Sequence, residues 1–182
     1  MGQKNKLLLP WHGTTILASV VKTLVASSLA EILVVTGHQS SSISALLVPY
    51  PVRLVKNRQY AEGLSTSIRA GVNAAQPCSG YLFALGDMPL ISSASIRRLC
   101  QAFTACKRPD AIVFPTWEGK RGNPVIISQT YRNQLLALRG DQGARPLLQR
   151  YAERTVGVPL PDPGVLVDID TPQTYQNAQG NL

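Results

Sequence analysis

The sequence predicts an α/β fold built on a mainly parallel sheet, and three observations predict it. Short apolar runs rich in Val, Ile and Leu recur along the chain, as in strands buried on both faces. Between them lie stretches whose apolar residues keep the 3.6-residue helical period. The two kinds alternate, which is the order of βα units rather than of a bundle or an all-β sandwich. The 182 residues suit a single domain spanning 1–182, long enough for a sizeable core.

In chain order, Thr14 or Thr15 can cap a helix over 16–29, whose apolar face carries Ile16, Leu17, Val20, Val21, Leu24 and Val25. A strand over 32–35 closes at Thr36 and Gly37, and Ser40 to Ser42 start a short helix through Leu46 and Leu47. A strand over 52–55 follows, then a polar loop, then Gly63-Leu64-Ser65-Thr66-Ser67 opening a helix with Ile68, Val72 and Ala75. Residues 80–85 read as a doubly buried strand, and Ser92 or Ser93 caps a helix bearing Ile96, Leu99, Cys100 and Phe103. A strand over 111–114 is expected to stop at Pro115, and 124–127 reads as strand after the turn-rich 118–122. Helices around Leu135 and Leu147 follow, then strands over 155–158 and 165–168, and a short helix starting at Thr171-Pro172.

Composition narrows the function. No apolar run approaches the ~20 residues that cross a bilayer, and the polar start lacks a signal-peptide pattern. Three cysteines without a Cys-x-x-Cys pair and only two histidines indicate neither a disulfide framework nor a zinc site. A reducing, cytoplasmic setting is the simplest expectation. The formal net charge is +8, and twelve of the eighteen cations are arginine. These charges are scattered singly, with no interleaved aromatics to stack on bases, so nucleic acid ranks below small anionic substrates and below plain solubility. Arginine's planar fork suits phosphates on small molecules.

The candidate site residues are few. Asp87 follows the 80–85 strand in Gly86-Asp87-Met88-Pro89, at the carboxyl edge where open α/β sheets bind ligands. Taken alone it reads equally as a turn or cap aspartate. Asp168 and Asp170 would share a face if the strand runs through them, and like charges that close call for a cation or a raised pKa. Three of ten acids thus sit where apolar strands end. Lys6 precedes an apolar run and is either the cation for a triphosphate or a lysine of a frayed start. Gly63, Ser65 and Ser67 open a helix and suit an anion or a nucleotide's polar edges, or simply cap it. Arg121-Gly122-Asn123-Pro124 and Gly140-Asp141-Gln142-Gly143-Ala144-Arg145 either line an acceptor pocket or are ordinary turns.

In order along the chain, these segments resemble a known family. Lys6-Leu7-Leu8-Leu9-Pro10-Trp11, Gly63 to Gly71, Gly86-Asp87-Met88-Pro89-Leu90, Arg121 to Pro124, Gly140 to Arg145 and Asp168-Ile169-Asp170-Thr171-Pro172 are similar to motifs of the MobA-like nucleotidyltransferases. Within them the likeness is to the molybdenum cofactor cytidylyltransferases, and it runs from Met1 to about Tyr175. The resemblance implies a Rossmann-like, three-layer α/β/α domain of the nucleotide-diphospho-sugar transferase type. It implies CTP or GTP and Mg²⁺ as ligands, with the phosphate of molybdopterin or a related phosphorylated molecule as acceptor. It also implies a molybdoenzyme or its chaperone as a macromolecular partner, with no role for nucleic acid or membrane.

On this likeness Asp87 and Asp170 would hold Mg²⁺ with Asp168 in support, and Lys6 would screen the triphosphate. Gly63, Ser65 and Ser67 would meet the nucleotide, and Asn123 and Arg145 the acceptor. The family's opening strand and its Leu-Ala-Ala-Gly-x-Ser-x-Arg-Met-Gly loop have no counterpart before Met1-Gly2. The expectation is therefore a sheet lacking its first strand, with either a slot where it would lie or re-pairing of the strands on either side. A nucleotidyltransferase for another phosphorylated acceptor, and a non-catalytic nucleotide- or pterin-binding protein, are the alternative readings. A dehydrogenase is disfavoured because no Gly-x-Gly-x-x-Gly follows a first strand.

Overall fold

Strands and helices alternate as expected along residues 5–141 and 143–180, which the computed structural model describes. A 3-10 turn at Lys6–Leu8 leads into a small ribbon, β1 (Pro10–Trp11) and β2 (Thr14–Thr15). Thr15 caps α1 (Ile16–Val25), its Oγ1 accepting from the Ala18 N–H at 3.3 Å. β3 (Leu33–Thr36), α2 (Ser40–Leu47) and β4 (Arg53–Lys56) form a βαβ unit paired in parallel from Leu33↔Arg53 to Thr36↔Lys56. Next come α3 (Leu64–Ala74), β5 (Gly80–Phe83) and α4 (Ser93–Ala105). β6 (Ile112–Trp117) turns through Glu118 and Gly119 into β7 (Lys120–Arg121) and then β8 (Val125–Ser128). The chain ends in α5 (Arg132–Leu136), α6 (Arg145–Arg150), β9 (Thr155–Pro159) and α7 (Pro172–Gly180).

The main sheet has the order β5-β8-β6, with β9 on the far side of β6 and β7 as its hairpin partner. β5 and β6 each pair antiparallel with β8, so they share one direction, and β9 runs parallel to β6. β8 opposes its neighbours because a tight reversal, not a helical crossover, brings the chain back. Successive residues of β6 and β8 point to opposite faces. Ile112 and Ile127 enter a core with Ile68, Val72, Leu135 and Leu147, while Val113 and Ile126 enter one with Leu99, Val158 and Val165. Helices therefore cover both faces, giving three layers.

The sheet is divided. Among the described residues, β3 pairs only with β4 and β5 only with β8. All four residues of β5 are only half-buried, as are Leu33, Val34 and Val35 of β3, whereas all four of β8 are buried. β3–β4 and β5–β8 thus belong to separate ladders among the described residues.

Four local readings change. Pro115 does not stop β6 but lies inside it, paired with Val158 of β9. Pairing of β6 with β8 ends at Val113, so the proline's missing N–H costs no ladder bond there. α1 ends at Val25 rather than residue 29, because Ser28 takes a left-handed φ of 57°. The strand expected over 80–85 to be buried on both faces is only half-buried and stops at Phe83, two residues short. Residues 165–168 are not a strand: Asp162 Oδ1 accepts from the Gly164 N–H at 2.9 Å and caps a 3-10 turn, Pro163–Leu166. Residues 167–170 beyond it form no strand, and the Ile169 N–H bonds to the Asp87 carbonyl, so strand period-two geometry does not apply to Asp168 and Asp170.

Candidate active site

Asp87 stands four residues past the end of β5, in a turn that its main chain shares with the 168–170 segment. The Asp87 carbonyl accepts from the Ile169 N–H at 2.9 Å, which brings Asp170 beside it without a β-ladder. Lys6 comes to the same point from the first 3-10 turn, which Asn5 caps by accepting from the Leu7 N–H at 3.1 Å. The Lys6 Nζ lies 2.5 Å from Asp87 Oδ2 and also donates to Asp170 Oδ1. The two carboxylates therefore converge on one cation. The Asp87 side chain is 17% exposed and that of Asp170 56%, so the site is closed at its floor and open at its rim.

Electrostatics follow from this arrangement. Partial burial works against the Lys6 ammonium, but the hydrogen bonds to Asp170 and Asp87, with their charges, outweigh it and raise its pKa above 10.5. The Lys6 hydrogen bond in turn holds the Asp170 carboxyl below 3.8. Asp168 goes the other way: burial first, then the charge of Asp170, pushes its carboxyl up. Asp87 Oδ1 is buried and has no hydrogen-bond partner among the described residues. Such an orphaned carboxylate oxygen is costly unless a cation or donor reaches it. Among the described residues no three His, Cys, Asp or Glu side chains are grouped to hold a metal ion. Two carboxylates still fit Mg²⁺, which is bound through one or two of them plus substrate oxygens and waters.

A second group of predicted residues gathers at the start of α3. Gly63 has a φ of 108°, and a Cβ there would lie 2.7 Å from the Gly140 carbonyl oxygen, so the position requires glycine. The 140–141 loop closes this helix end: Leu64 N–H donates to Asp141 Oδ1 at 2.9 Å, and Ser65 N–H to the Gly140 carbonyl at 3.2 Å. The first N–H groups of α3 are thus already used. Ser65 is buried and does not cap the helix, whereas Ser67 is half-buried.

Sequence reasoning missed Asn57, which organises this corner. Its buried amide donates to Thr66 Oγ1 at 2.8 Å and Ser67 Oγ at 3.1 Å, and its Oδ1 accepts from the Gln59 N–H at 2.9 Å. The available signal was an amide one residue past a strand and shortly before a glycine-led helix.

The acceptor candidates are placed by other loops. Asn123 N–H donates to the Val165 carbonyl at 2.9 Å, which ties Arg121 to Pro124 to the segment leading into Asp168. Gly122 must be glycine, since a Cβ there would sit 2.3 Å from the Val165 oxygen. Arg145 is the first residue of α6, just after the loop that closes α3. The structure thus joins Lys6, Asp87 and Asp170 directly. Gly63, Ser65 and Ser67 form a separate cluster at α3, and Asn123 and Arg145 stand on the flanking loops.

The fold is that of nucleotidyltransferases. A nucleotidyl transferase from Methanothermobacter thermautotroptrophicus superposes with a TM-score of 0.83 and 28% identity, over 96% of this chain and 83% of that one. A Mycobacterium tuberculosis H37Rv protein solved in complex with manganese superposes at 0.81 with 23% identity, over 97% and 92% of the two chains. The model of the MobA-like NTP transferase domain matches residues 1–155, and the chain belongs to that family. Its curated relatives differ in what their names say. The purine catabolism protein PucB of Bacillus subtilis is 32% identical over 96% of this chain and 87% of its own. The molybdenum cofactor cytidylyltransferase of Escherichia coli K12 is 27% identical over 98% and 88%. The nicotine blue oxidoreductase of Paenarthrobacter nicotinovorans is 27% identical over 94% and 86%.

Proposed function

We infer that the protein transfers a nucleotidyl group, CMP from CTP, to the phosphate of a phosphorylated pterin such as molybdopterin, releasing pyrophosphate. One observation carries this reading: Asp87 and Asp170 converge on the Lys6 ammonium while Asp87 Oδ1 stays buried without a partner among the described residues. Asp87 and Asp170, the first with an oxygen short of a partner among the described residues, would hold a divalent cation. When bound, Mg²⁺ would neutralise charge on the triphosphate oxygens. The Mycobacterium tuberculosis relative's manganese supports a divalent ion of this kind.

In the reaction an acceptor phosphate oxygen attacks the α-phosphorus in line. The bond from that phosphorus to the bridging oxygen breaks, and its electron pair leaves with pyrophosphate. Such chemistry needs positioning and charge neutralisation more than a protein nucleophile. Lys6, beside Asp87 and Asp170, supplies a positive charge that would screen the triphosphate. Ser67 faces the nucleotide, with Gly63 and the buried Ser65 shaping the turn behind it. Asp168 adds negative charge beside Asp170, and Asn123 and Arg145 face the acceptor.

Pyrophosphate release, measured with CTP or GTP, Mg²⁺ and the pterin acceptor, tests the assignment. CTP should be preferred, and equal or faster turnover with GTP would move the protein to guanylyl transfer. Asp87→Asn should lower turnover by about a hundredfold or more, as loss of one charge-stabilising group does elsewhere, with the fold retained. Undiminished turnover in that variant rules out the role given to Asp87. Transfer to another acceptor is the second reading, since the relatives' names differ and PucB, 32% identical, is named for purine catabolism.

A further inference from the structure

Three segments carry the charged groups of the site, and one small core ties all three together. Trp11, Ile169 and Ala178 are buried in it, with Leu9, Leu90 and Tyr175 packed against them. Leu9 and Trp11 follow Lys6, Leu90 follows Asp87, and Ile169 stands between Asp168 and Asp170. Ile169 is fully buried, and its N–H donates to the Asp87 carbonyl at 2.9 Å. Tyr175 and Ala178 belong to α7, which begins at Pro172, two residues after Asp170. Thr171 Oγ1 accepts from the Thr174 N–H at 3.0 Å and fixes the first turn of that helix.

α7 is not held by an apolar stripe of its own. Among the described residues of this helix Ala178 alone is buried, and a helix of 9 residues is marginal by itself in water. The ties that hold it are polar. Tyr175 Oη donates to the Pro10 carbonyl at 2.5 Å and accepts from Gln179 Nε2, one turn on, at 3.0 Å. Gln179 Nε2 also reaches the Pro10 carbonyl at 3.3 Å. The Tyr175 ring lies 6.2 Å from that of Trp11, centroid to centroid. These contacts run from the strand just after Lys6 to the helix just after Asp170, across 165 and 169 positions of sequence.

The pairing of Lys6 with Asp170 needs such a frame. The Asp170 side chain is 56% exposed, its backbone lies in neither strand nor helix, and Lys6 carries its charge on a long flexible stem. Exposed ion pairs gain little and must order both side chains, so they persist where the two backbones are already placed. We propose that Tyr175 is a positioning residue, and that α7, fastened through it to Pro10 and Trp11, holds Lys6 and Asp170 together against Asp87. Leu90, in the same core, brings the Asp87 turn to the same point. How the three groups come together does not depend on the reaction; only the consequence for turnover rests on the nucleotidyl-transfer reading.

Acylation of the lysines in the native full chain, read at each lysine by mass spectrometry, tests this. Lys6, engaged by two carboxylates, should react slowly. Tyr175→Ala removes both hydroxyl and ring and should raise the Lys6 rate about fivefold or more, the factor that one net hydrogen bond gives. Tyr175→Phe keeps the ring and Gln179→Ala keeps the tyrosine, so each should give a smaller rise, about twofold. The exposed Lys22 on α1 should react at an unchanged rate throughout. Asp170→Asn should speed Lys6 by itself, and Tyr175→Ala added to it should speed it little further, because the two act on one contact. The proposal is overturned if Tyr175→Ala leaves Lys6 as slow as before, if Lys22 rises in step with Lys6, or if the two substitutions are fully additive. Should Tyr175→Ala fail to fold, Tyr175→Phe and Gln179→Ala decide by the same comparison. On the nucleotidyl-transfer reading, turnover falls in the order of the Lys6 rates. A selective rise at Lys6 in a chain that shows no transfer leaves the role of α7 intact and removes only the reaction.

Discussion

At Lys6 a single ammonium, shared between Asp87 and Asp170, sets the charge state of the site. Its pKa is raised, so its contribution to stability is complete below 10.5 and is lost as pH rises through the folded value. Asp170 is depressed, so its contribution is complete above 3.8 and is lost as pH falls through its own folded value. Asp168, pushed up by burial and by Asp170, opposes both and is relieved on protonation. Lys6→Gln should therefore cost stability at neutral pH, by at most about 1 kcal/mol because the rim is open to solvent. The difference from the natural chain should vanish well below 3.8. Urea unfolding against pH measures this, and a constant difference across that range contradicts the pairing. The same residue had two readings in the sequence, triphosphate cation or frayed lysine. Nothing local to it announced that residues 81 and 164 positions away would bracket it.

At the scale of elements, the start of α3 depends on parts that its own sequence does not contain. The helix has no side-chain cap of its own; Gly140 and Asp141 supply the acceptors from a distant loop. Gly63→Ala combines a φ of 108° with a Cβ 2.7 Å from the Gly140 oxygen. It should cost about 1–3 kcal/mol and loosen the 140–141 loop, read as a lower denaturation midpoint; an unchanged midpoint would count against the closure. Asn57→Ala leaves Thr66 and Ser67 without their amide donor and should cost about 1–3 kcal/mol as well. α4 begins differently: Ser92 Oγ accepts from the Ser95 N–H at 3.1 Å, while Asp162 Oδ2 takes bonds from Ser92 and Ser95. A serine cap at 92 or 93 was legible because serine before an apolar-periodic run is a local signal, and it falls on Ser92. The contribution of Asp162 was not, since it comes from 67 residues further on.

For the whole molecule, the divided sheet predicts unequal stability. β6 and β8 lie between two packed cores, with Ile112, Val113 and Ile127 at 0% exposure. β3 and β4 have one ladder between them, and β4 carries Leu54 at 38% exposure. Regions with fewer buried apolar contacts open at lower free energy. Amide hydrogen exchange should therefore protect 112–113 and 125–128 through global unfolding, while 33–36 and 53–56 exchange by a cheaper local opening. Equal protection of the two groups would mean that the β3–β4 unit is coupled to the main sheet by packing alone.

What the sequence determined by itself was whatever depends on neighbours a few residues apart. Alternating periods announced the α/β class, the Thr14-Thr15 and Ser92-Ser93 pairs announced caps that fall on Thr15 and Ser92, and the placing of Asp87, Asp168 and Asp170 at the ends of apolar runs singled them out as candidates. Tertiary structure decided what depends on distant partners. Pro115 could stay inside β6 because β8 had already diverged, and 165–168 gave up strand form because Asp162 turned the chain. Asp170 reached Asp87 through the Ile169 N–H rather than through strand geometry, and Asn57 gained its place only once Thr66 and Ser67 folded back over it. Local propensity is a property of the chain, whereas convergence of charges is a property of the topology that carries them together.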